Sequence, residues 1–422
     1  MRGLILALAL WLMVPLPSPV TAAERPSLQE LVDRTPVNGT LVPEPGVYAG
    51  PIIVESPITI DGRGLVTIDA GGEGSVVVLQ TDGATLKNLH LRNSGALHND
   101  IDSGVQVRGN FNVVRNCYID DCLFGVDLQQ SNNNIVRANT IYSKDMDLGQ
   151  RGDAVRLWYS FNNKIHDNEC HDMRDMVVWY SRDNDIRGNI LTGSRYSLHF
   201  MYSQYNVVED NWYYNNAVGI FLMYSDGIVV RNNHVLHAAG PTGVGIGFKE
   251  TSDLTIENNE VLYCASGLYI DVSPFQPDTF NSFKNNIIAY CGFGVRFLND
   301  WHDNIFQSND FSDNLTQVVV GGGGVATGHQ WDGNYWSDYK GFDQDGDGVG
   351  DTPHEIYVYS DRIWLDNSYA QFFKGSPLLE TLDFLERLVP FSEPKLMLRD
   401  EHPRMRKEAA GVIHDCDSHG NN

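Results

Sequence analysis

The chain has 422 residues, 42% of them hydrophobic, and carries 54 acidic against 30 basic side chains for a formal net charge of −24. This length is enough to bury a continuous core. The negative surface repels nucleic acids and anionic polymers, so cations and basic proteins are the favoured partners.

Residues 1–23 have the composition of a secretory signal peptide. Arg2 precedes the apolar run LILALALWLMVPL, and the small-residue stretch Val20–Ala23 follows. Because the run is too short to span a bilayer, we expect cleavage after Ala22 or Ala23 and an exported mature protein. No later segment is long and apolar enough for a direct membrane span, so any membrane association is expected to come through a partner.

Residues 24–320 contain a short pattern that returns ten times between residues 86 and 311. Each copy has an apolar residue, two mostly polar residues, usually an asparagine, one further residue and usually a second apolar residue. Successive copies lie 21 to 29 residues apart, and their asparagines are Asn139, Asn168, Asn189, Asn211, Asn233, Asn259, Asn286 and Asn309. Such a period indicates a solenoid, in which each coil buries its apolar face against its neighbours.

The segments between these copies have the two-residue period of β structure. GVQVRG, GVDLQQ and GIFLMY alternate apolar and polar residues. Parallel strands joined by crossovers are almost always right-handed. We therefore predict an all-β fold, a right-handed parallel β-helix of about ten or more coils spaced by about 4.8 Å, with a carboxyl-terminal appendage of loops and a helix.

We interpret the repeated asparagines as structural. Asparagine tolerates tight turns, and amides stacked in register can bond to the coils on either side. Cys264 and Cys291 occupy the same position of adjacent coils, so their thiols are expected to be neighbours. We favour a buried reduced pair, because parallel side chains seldom reach the dihedral angle of a disulfide; a disulfide and a metal site remain the alternatives.

One sheet is predicted to carry an apolar face on its outside. Where the apolar residues of a strand point inward, the alternate residues point to solvent. Four central coils then present Trp158, Trp179, Met201 and Met223 in one outward column, beside His199 and Phe221 in the next. We call these six residues the apolar face. A contiguous exposed patch of this kind usually marks an interface or a ligand site; cover by a loop or by the carboxyl-terminal segment is the alternative.

Soft metal ligands are concentrated near the same coils. The candidate copper ligands are Met146, His171, Met173, Met176, His199, Met201 and Met223. Thioether and imidazole ligands together select monovalent copper over hard cations. The alternative is that the methionines fill gaps in the core, as most methionines do.

Residues 321–375 change to an aromatic and Asp-Gly-rich composition. Asp343, Asp345 and Asp347, followed by Gly348, match the first positions of a calcium loop, and Asp351 matches a later one. The twelfth position is His354 instead of glutamate. We expect a structural calcium site, with a solvated turn as the alternative. Residues 376–422 are predicted to form an amphipathic helix over 376–389 and a disordered tail.

Four segments carry a resemblance to a known family: RGDAVRLWYS, DMVVWYS, LHFMYS and WDGNYWSDYKGFDQDGDGVGDTPHEIY. They resemble the NosD family of periplasmic proteins, and the resemblance covers essentially the whole mature chain. It implies a β-helix without a catalytic motif, hence not an enzyme. It also implies a role in maturing the copper centres of nitrous oxide reductase, together with an ABC transporter membrane subunit and its ATPase and a copper chaperone lipoprotein.

On this reading the apolar face docks a partner and accepts copper transiently. The competing hypothesis is a carbohydrate-active enzyme on the same fold, a polysaccharide lyase, epimerase or hydrolase, using Asp153, Arg156, Asp172 and His166. Against it, the face carries tryptophan and methionine where an acidic polymer would need cationic residues. A purely structural or adhesive module is the third reading, and it predicts no cluster of soft ligands.

Overall fold

The computed structural model describes residues 26–240, 242–358, 376, 377, 381, 385 and 395–407. The predicted signal peptide, most of the predicted helix over 376–389 and the tail beyond residue 407 lie outside this range. Within residues 26–240, 242–358 and 395–407, the helices are one α-helix, Gln29–Arg34, and two 3₁₀ turns, Leu148–Gln150 and Gly321–Gly323. Within the same part of the chain, no helix has both the length and the apolarity needed to span a membrane.

The fold is all-β, a parallel solenoid of about 13 turns, as the sequence predicts. One strand of each coil enters a twelve-stranded parallel sheet. Its strands are Ile52–Val54, Val77–Leu79, Ser103–Val107, Phe124–Gln129, Val155–Trp158, Asp175–Trp179, Tyr196–Met201, Val218–Met223, Val244–Lys249, Ser266–Asp271, Phe293–Phe297 and Thr316–Val320. Each strand pairs with the strand one coil before it and the strand one coil after it, except the first and the last, which pair on one side.

The remaining solenoid strands form a bent sheet of 24 strands, in two stacks that share two long strands. The first stack contains Thr40–Leu41, Thr59–Asp69, Thr85–Arg92, Val113–Arg115, Ile135–Arg137, Lys164–His166, Asp185–Arg187, Val207–Glu209, Val229–Arg231, Thr255–Glu257, Asn281–Lys284, Asn304–Gln307 and Gln330–Asp332. The second contains Gly46–Ala49, Tyr118–Cys122, Thr140–Ser143, Glu169–His171, Ile190–Thr192, Trp212–Tyr214, His234–Leu236, Glu260–Leu262, Ile287–Ala289, Asp310–Ser312 and Tyr335–Trp336, and the shared strands are Thr59–Asp69 and Thr85–Arg92.

The core is the interior of this tube, filled by one apolar side chain from every second position of each strand. In the twelve-stranded sheet the pairs Val105/Val107, Leu198/Phe200 and Ile246/Phe248 are buried, as predicted from the alternation. Each strand is too short to bury its apolar residues alone, so stacking of coils supplies the hydrophobic stabilisation.

The asparagine repeat is a ladder of hydrogen bonds, which confirms its structural interpretation. Asn211 Oδ1 accepts from the backbone N–H of Asn189 at 2.9 Å and from Asn189 Nδ2 at 3.0 Å, and the same geometry recurs along the ladder. A second ladder follows Asn112, Asn134, Asn163, Asn184 and Asn206, and a third follows Ser131, Ser160, Ser181, Ser203 and Ser225. These ladders bond the polar groups that the turns would otherwise bury unpaired.

The solenoid differs from its predicted boundary at the carboxyl end. Its 24-stranded sheet continues past residue 320 to Tyr335–Trp336. Strand Lys395–Asp400 returns from the far end of the sequence to pair antiparallel with strand His354–Val358 and to cover the last coil. Asp400 ends the asparagine ladder, since its buried carboxylate accepts from Asn334 N at 3.0 Å, Asn334 Nδ2 at 2.9 Å and Trp336 Nε1 at 3.0 Å.

The thiols of Cys264 and Cys291 are free, buried and located at the same position of adjacent coils. This is the favoured one of the three predicted states. The Cys264 thiol also donates to the carbonyl of Leu262 at 3.3 Å, and the Cys291 thiol to that of Ala289 at 3.3 Å.

Candidate functional site

The two outward columns of the apolar face are in register, as predicted. Trp158 pairs with Trp179, Trp179 with Met201, and Met201 with Met223 along consecutive strands of the twelve-stranded sheet. In the neighbouring column His199 pairs with Phe221. Gln129 and Lys249 occupy the rungs on either side of the first column, so its apolar part is limited to four rungs.

The sequence predicts that all six residues of the apolar face are exposed, and two of them are not. Trp158, Trp179, Met201 and Met223 are partly exposed, but His199 and Phe221 are buried, with 6% and 8% of their surface accessible. The prediction that both point freely into solvent was wrong. They do point outward, but Tyr196 lies against them: its ring stacks on His199 at 4.8 Å and meets Phe221 edge-on at 6.0 Å.

Phe221 belongs to a small hydrophobic cluster outside the tube. It packs with Val218, Val244 and Tyr269 on the outer side of the sheet. Gly247 makes room for its ring, because a Cβ at that position would lie 2.4 Å from the ring. The described residues 395–407 pack at the end of the solenoid instead, so this part of the carboxyl-terminal segment does not cover the apolar face.

His199 is the least satisfied polar group of this face. Neither ring nitrogen has a hydrogen-bond partner, and Trp179 meets the ring edge-on at 5.7 Å, with its own Nε1 unpaired. Burial lowers the pKa of His199 to about 4, so the imidazole is neutral at physiological pH. A neutral, uncommitted imidazole is available as an electron-pair donor without first losing a proton.

The carboxylates beside this face are buried and paired with arginine. Asp127 is bonded to Arg108 and Arg156, each at 2.7 Å. Asp153 accepts from Arg174 at 2.8 Å, and its pKa is raised to about 6 by burial, a rise that Arg174 opposes. These pairings satisfy the buried charges structurally.

The residues weighed for a carbohydrate-active enzyme do not converge on one site. Asp153 and Arg156 belong to the ion pairs described above. His166 lies on the 24-stranded sheet, 3.0 Å from Asp185, and Asp172 is an exposed turn residue that accepts from Arg151 through its carbonyl. Acid–base chemistry on a uronate needs such groups around one substrate atom, which this arrangement does not provide.

The seven candidate copper ligands do not form one cluster, and the predicted set is corrected as follows. Met173 and Met176 are fully buried in the core, because Met176 lies two residues before the inward Val178 and Met173 fills the adjacent corner. His171 lies on the other sheet, stacked on Tyr142 at 4.6 Å and bonded to Glu169 at 2.8 Å.

Met146 is in the loop around residues 143–152, where Arg151 donates to its carbonyl at 2.7 Å. Only His199, Met201 and Met223 of the original set share the apolar face. They occupy neighbouring outward positions, about 6.6 Å apart along a strand and about 4.8 Å apart between strands.

The Asp-Gly segment forms a compact loop at the end of the solenoid. One oxygen each of Asp343, Asp345 and Asp347 can lie within 4.8 Å of the others, the single acidic group of metal-binding geometry among the described residues. Asp343 also accepts from the backbone N–H groups of Gly346 at 2.7 Å and Gly348 at 3.0 Å. Asp351 accepts from Gln344, also at 2.7 Å. His354 is buried against Trp336, away from a ligand role in this loop.

A row of tyrosines lies beside the apolar face, and the alternation of residues along the strands did not predict it. Tyr159, Tyr180, Tyr202 and Tyr224 each follow a residue of the first outward column, and each has a positive φ near 50°. Successive rings stack at 4.8, 5.3 and 4.8 Å. We call these four residues the tyrosine ladder. The repeated Tyr-Ser pair in the sequence could have indicated this row, because the serines form the inner ladder and the tyrosines the outer one.

Two family models match parts of this chain. Residues 142–341 match the family model described as NosD, periplasmic copper-binding protein, a range that contains the whole apolar face and tyrosine ladder. Residues 60–176 match a model of a right-handed β-helix region, which confirms the predicted hand of the coils.

Curated relatives carry the same family name. A Pseudomonas aeruginosa protein named probable ABC transporter binding protein NosD is 29% identical over 414 residues, covering 86% of this chain and 88% of that protein. Its namesake from Stutzerimonas stutzeri is 32% identical over 132 residues, or 30% of this chain and 29% of that protein.

Solved structures share the architecture. The A-module of mannuronan C-5 epimerase AlgE6 from Azotobacter vinelandii aligns with a TM-score of 0.56 over 72% of this chain and 93% of its own, at 14% identity. A likeness at this identity concerns the fold alone. The NosD family model over residues 142–341 and the relative that spans most of the chain support a NosD-type protein.

Proposed function

We propose that this chain is a periplasmic assembly factor for the copper centres of nitrous oxide reductase. In this role it is the extracytoplasmic docking component of an ABC transporter, and it works with that transporter's membrane subunit and ATPase and with a copper chaperone lipoprotein. The names of the relatives and the copper-binding description of the family model support the general role. The client and the chaperone come from the resemblance of the sequence to the NosD family.

The observation that carries the proposal is the apolar face. Its two tryptophans and two methionines are partly exposed in four consecutive rungs, over a buried imidazole without a partner. Protein interfaces concentrate their binding free energy in such central aromatic anchors, with polar residues at the rim. The flanking Gln129 and Lys249 supply that polar rim at both ends of the column.

Copper is the cargo in this proposal, and the residues present fit it. His199 offers a neutral nitrogen, and Met201 and Met223 offer thioether sulfurs, which are the ligands that monovalent copper prefers. The three residues hold the ion at the outer surface, next to the docking anchors, where a partner can deliver or remove it. Because His199 is already neutral, binding does not require the loss of a proton above about pH 4.

Titration of monovalent copper against a competing chelator tests this ligand set. The wild-type mature protein is expected to bind one ion that the triple variant His199→Phe, Met201→Leu, Met223→Leu does not bind. Met146→Leu is the matched control, since Met146 lies outside the apolar face. Equal copper affinity in the wild type and the triple variant would remove these residues as ligands.

The docking role is tested by the copper content of the reductase produced in cells. Trp179→Glu and Met201→Glu place a charge in the centre of the apolar face without entering the core, so both variants are expected to fold and to yield reductase lacking copper. Tyr290→Glu, an exposed residue of another turn, is the matched control. Full copper loading with the Trp179 and Met201 variants would refute the proposal.

We also infer a structural calcium ion at Asp343, Asp345 and Asp347, with Asp351 closing the loop. The support is the spacing of these residues and the approach of the three carboxylates to one another. Calcium is expected to raise the unfolding temperature of the wild type but not of Asp343→Asn, Asp345→Asn. An identical response of both proteins would contradict the inference.

A further inference from the structure

The tyrosine ladder stands in a backbone conformation that its side chains do not favour. Tyr159, Tyr180, Tyr202 and Tyr224 all have φ between 49° and 52°, a region that glycine and asparagine adopt more easily. Their hydroxyl groups make no hydrogen bond within the described part of the chain. The next residue in each coil is the serine of the inner ladder, which holds the turn without help from the tyrosine.

The ladder continues the apolar face around the edge of the sheet. The ring of Trp158 lies 5.8 Å from that of Tyr159, 5.3 Å from that of Tyr180 and 5.7 Å from that of Trp179. Aromatic rings on two adjoining columns therefore form one surface. Because successive tyrosine rings stack face to face, the ladder offers a partner the edges and hydroxyl groups of those rings along the axis of the solenoid.

Acidic groups border this surface at its carboxyl-terminal end. Glu250 takes the position of the tyrosines on the next coil, with the same positive φ. Asp226 follows Tyr224 by two residues, and its carboxylate is partly buried: Oδ1 lies out of contact with solvent and has no hydrogen-bond partner in the described part of the chain. Neither carboxylate is within ion-pair distance of a described lysine or arginine, whereas the basic Lys249 and Arg182 nearby are paired with Asp271 and Asp183.

The chemistry that fits such a surface is cationic. Tyrosine hydroxyl oxygens accept hydrogen bonds from guanidinium and ammonium groups. On the adjoining column the Arg156 guanidinium already lies 4.8 Å from the ring centre of Trp158. Carboxylates without partners at the rim, on a chain of net charge −24, add long-range attraction for the same groups.

We propose that the tyrosine ladder, with Asp226 and Glu250, binds an arginine- or lysine-rich segment of a protein partner. This inference rests on the proposed function, because it names the chemistry of the partner that docks on the apolar face. The cationic side chains donate hydrogen bonds to the tyrosine hydroxyl groups and pair with the carboxylates at the rim.

Titration of the full mature protein with the synthetic peptide (Arg-Gly-Ser)4 tests the proposal. The double variant Tyr180→Ser, Tyr202→Ser and the separate double variant Asp226→Asn, Glu250→Gln are each expected to weaken binding by about tenfold, through lost hydrogen bonds to the cationic groups. Tyr263→Ser, Tyr290→Ser is the matched control, since these residues form another stack of positive-φ tyrosines at a different turn, with ring centroids 5.1 Å apart. Unfolding in urea is measured for every variant.

Equal peptide binding by all variants would overturn the proposal, and so would tighter binding of (Glu-Gly-Ser)4 or of an oligomannuronate than of the arginine peptide. The reductase assay separates this inference from the proposed function. If cells with the Tyr180→Ser, Tyr202→Ser variant produce copper-loaded reductase and cells with Trp179→Glu do not, the cationic partner is refuted and the docking role of the apolar face is retained. Copper-loaded reductase with Trp179→Glu would remove both.

Discussion

The turn before the asparagine ladder and the turn before the serine ladder have the same backbone geometry but carry different side chains. At both turns a residue with positive φ precedes a buried polar residue that bonds to the neighbouring coils. Before the asparagine ladder the positive-φ residues are small or polar, such as Asp167, Gly188 and Asn232. Before the serine ladder four consecutive coils carry tyrosine instead.

This difference between the two turns distinguishes residues that stabilise the stack of coils from residues that form its outer surface. A bulky residue with positive φ carries strain of about 1 kcal/mol or more. Stacking of neighbouring rings offsets part of it, at about 0.5–1.5 kcal/mol per pair. The asparagine turn achieves the same geometry mostly with glycine, asparagine and aspartate, which adopt positive φ more easily, so the backbone geometry alone gives no reason for tyrosine at the other turn. The ladders stabilise the solenoid, and the aromatic residues beside one of them form its candidate interaction surface.

The largest expected effect comes from breaking the asparagine ladder in the middle. In Asn211→Ala the buried N–H and side-chain amide of Asn189 lose their acceptor, and the carbonyl of Ile186 loses its donor. At about 1–3 kcal/mol for each buried unsatisfied group, we expect a loss of about 3 kcal/mol or more in urea unfolding. A loss below about 1 kcal/mol would mean that the ladder contributes little.

Breaking the ladder at its end should have a smaller effect. Asp400→Ala removes the acceptor of Asn334 and Trp336, and we expect a loss of about 2 kcal/mol together with faster hydrogen exchange in residues 330–336. Asp400→Asn retains an acceptor oxygen and is the control expected to keep most of the protection. Unchanged exchange in Asp400→Ala would show that strand Lys395–Asp400 does not cap the solenoid.

The pH dependence of stability tests the buried imidazole of the apolar face. Burial lowers the pKa of His199 from 6.5 to about 4, so its contribution is present above pH 6.5 and is lost as the pH falls towards 4. Between pH 7 and pH 5 the wild type should lose about 2 kcal/mol more than His199→Phe. Asp153, with its raised pKa, acts in the opposite direction in both proteins, so the difference between them is the quantity measured. Equal losses would mean that His199 is hydrated.

The smallest effect on stability is expected when a tyrosine of the tyrosine ladder is replaced by a residue typical of the asparagine turn. Tyr180→Asn removes strain and three ring contacts together, and should change the free energy of unfolding by less than about 1 kcal/mol. Tyr290→Asn is the control at the other tyrosine turn. A loss of about 3 kcal/mol or more in Tyr180→Asn would make the tyrosine ladder a structural element and remove the contrast between the two turns.

The columns of the twelve-stranded sheet could be read from the sequence because side chains alternate strictly along a strand. That period placed Trp158, Trp179, Met201 and Met223 correctly. It did not show that the Tyr196 ring covers His199, which depends on side-chain rotation. The prediction placed Met176 in a turn, but Met176 lies at the start of a strand. The strand pairing is irregular there, between Asp175 and Val177. The cap by Lys395–Asp400 depends on pairing across the whole chain, which no local pattern indicates.

The central claim is that the apolar face is the surface that partners cover. Hydroxyl-radical footprinting measures it directly, because tryptophan, methionine and tyrosine side chains oxidise in proportion to their exposure to solvent. In the free mature protein Trp158, Trp179, Met201 and Met223 should be oxidised, and in the protein purified with its co-expressed transporter and reductase they should be protected, while Tyr290 is oxidised in both. Equal oxidation of the four residues with and without those partners would contradict the claim.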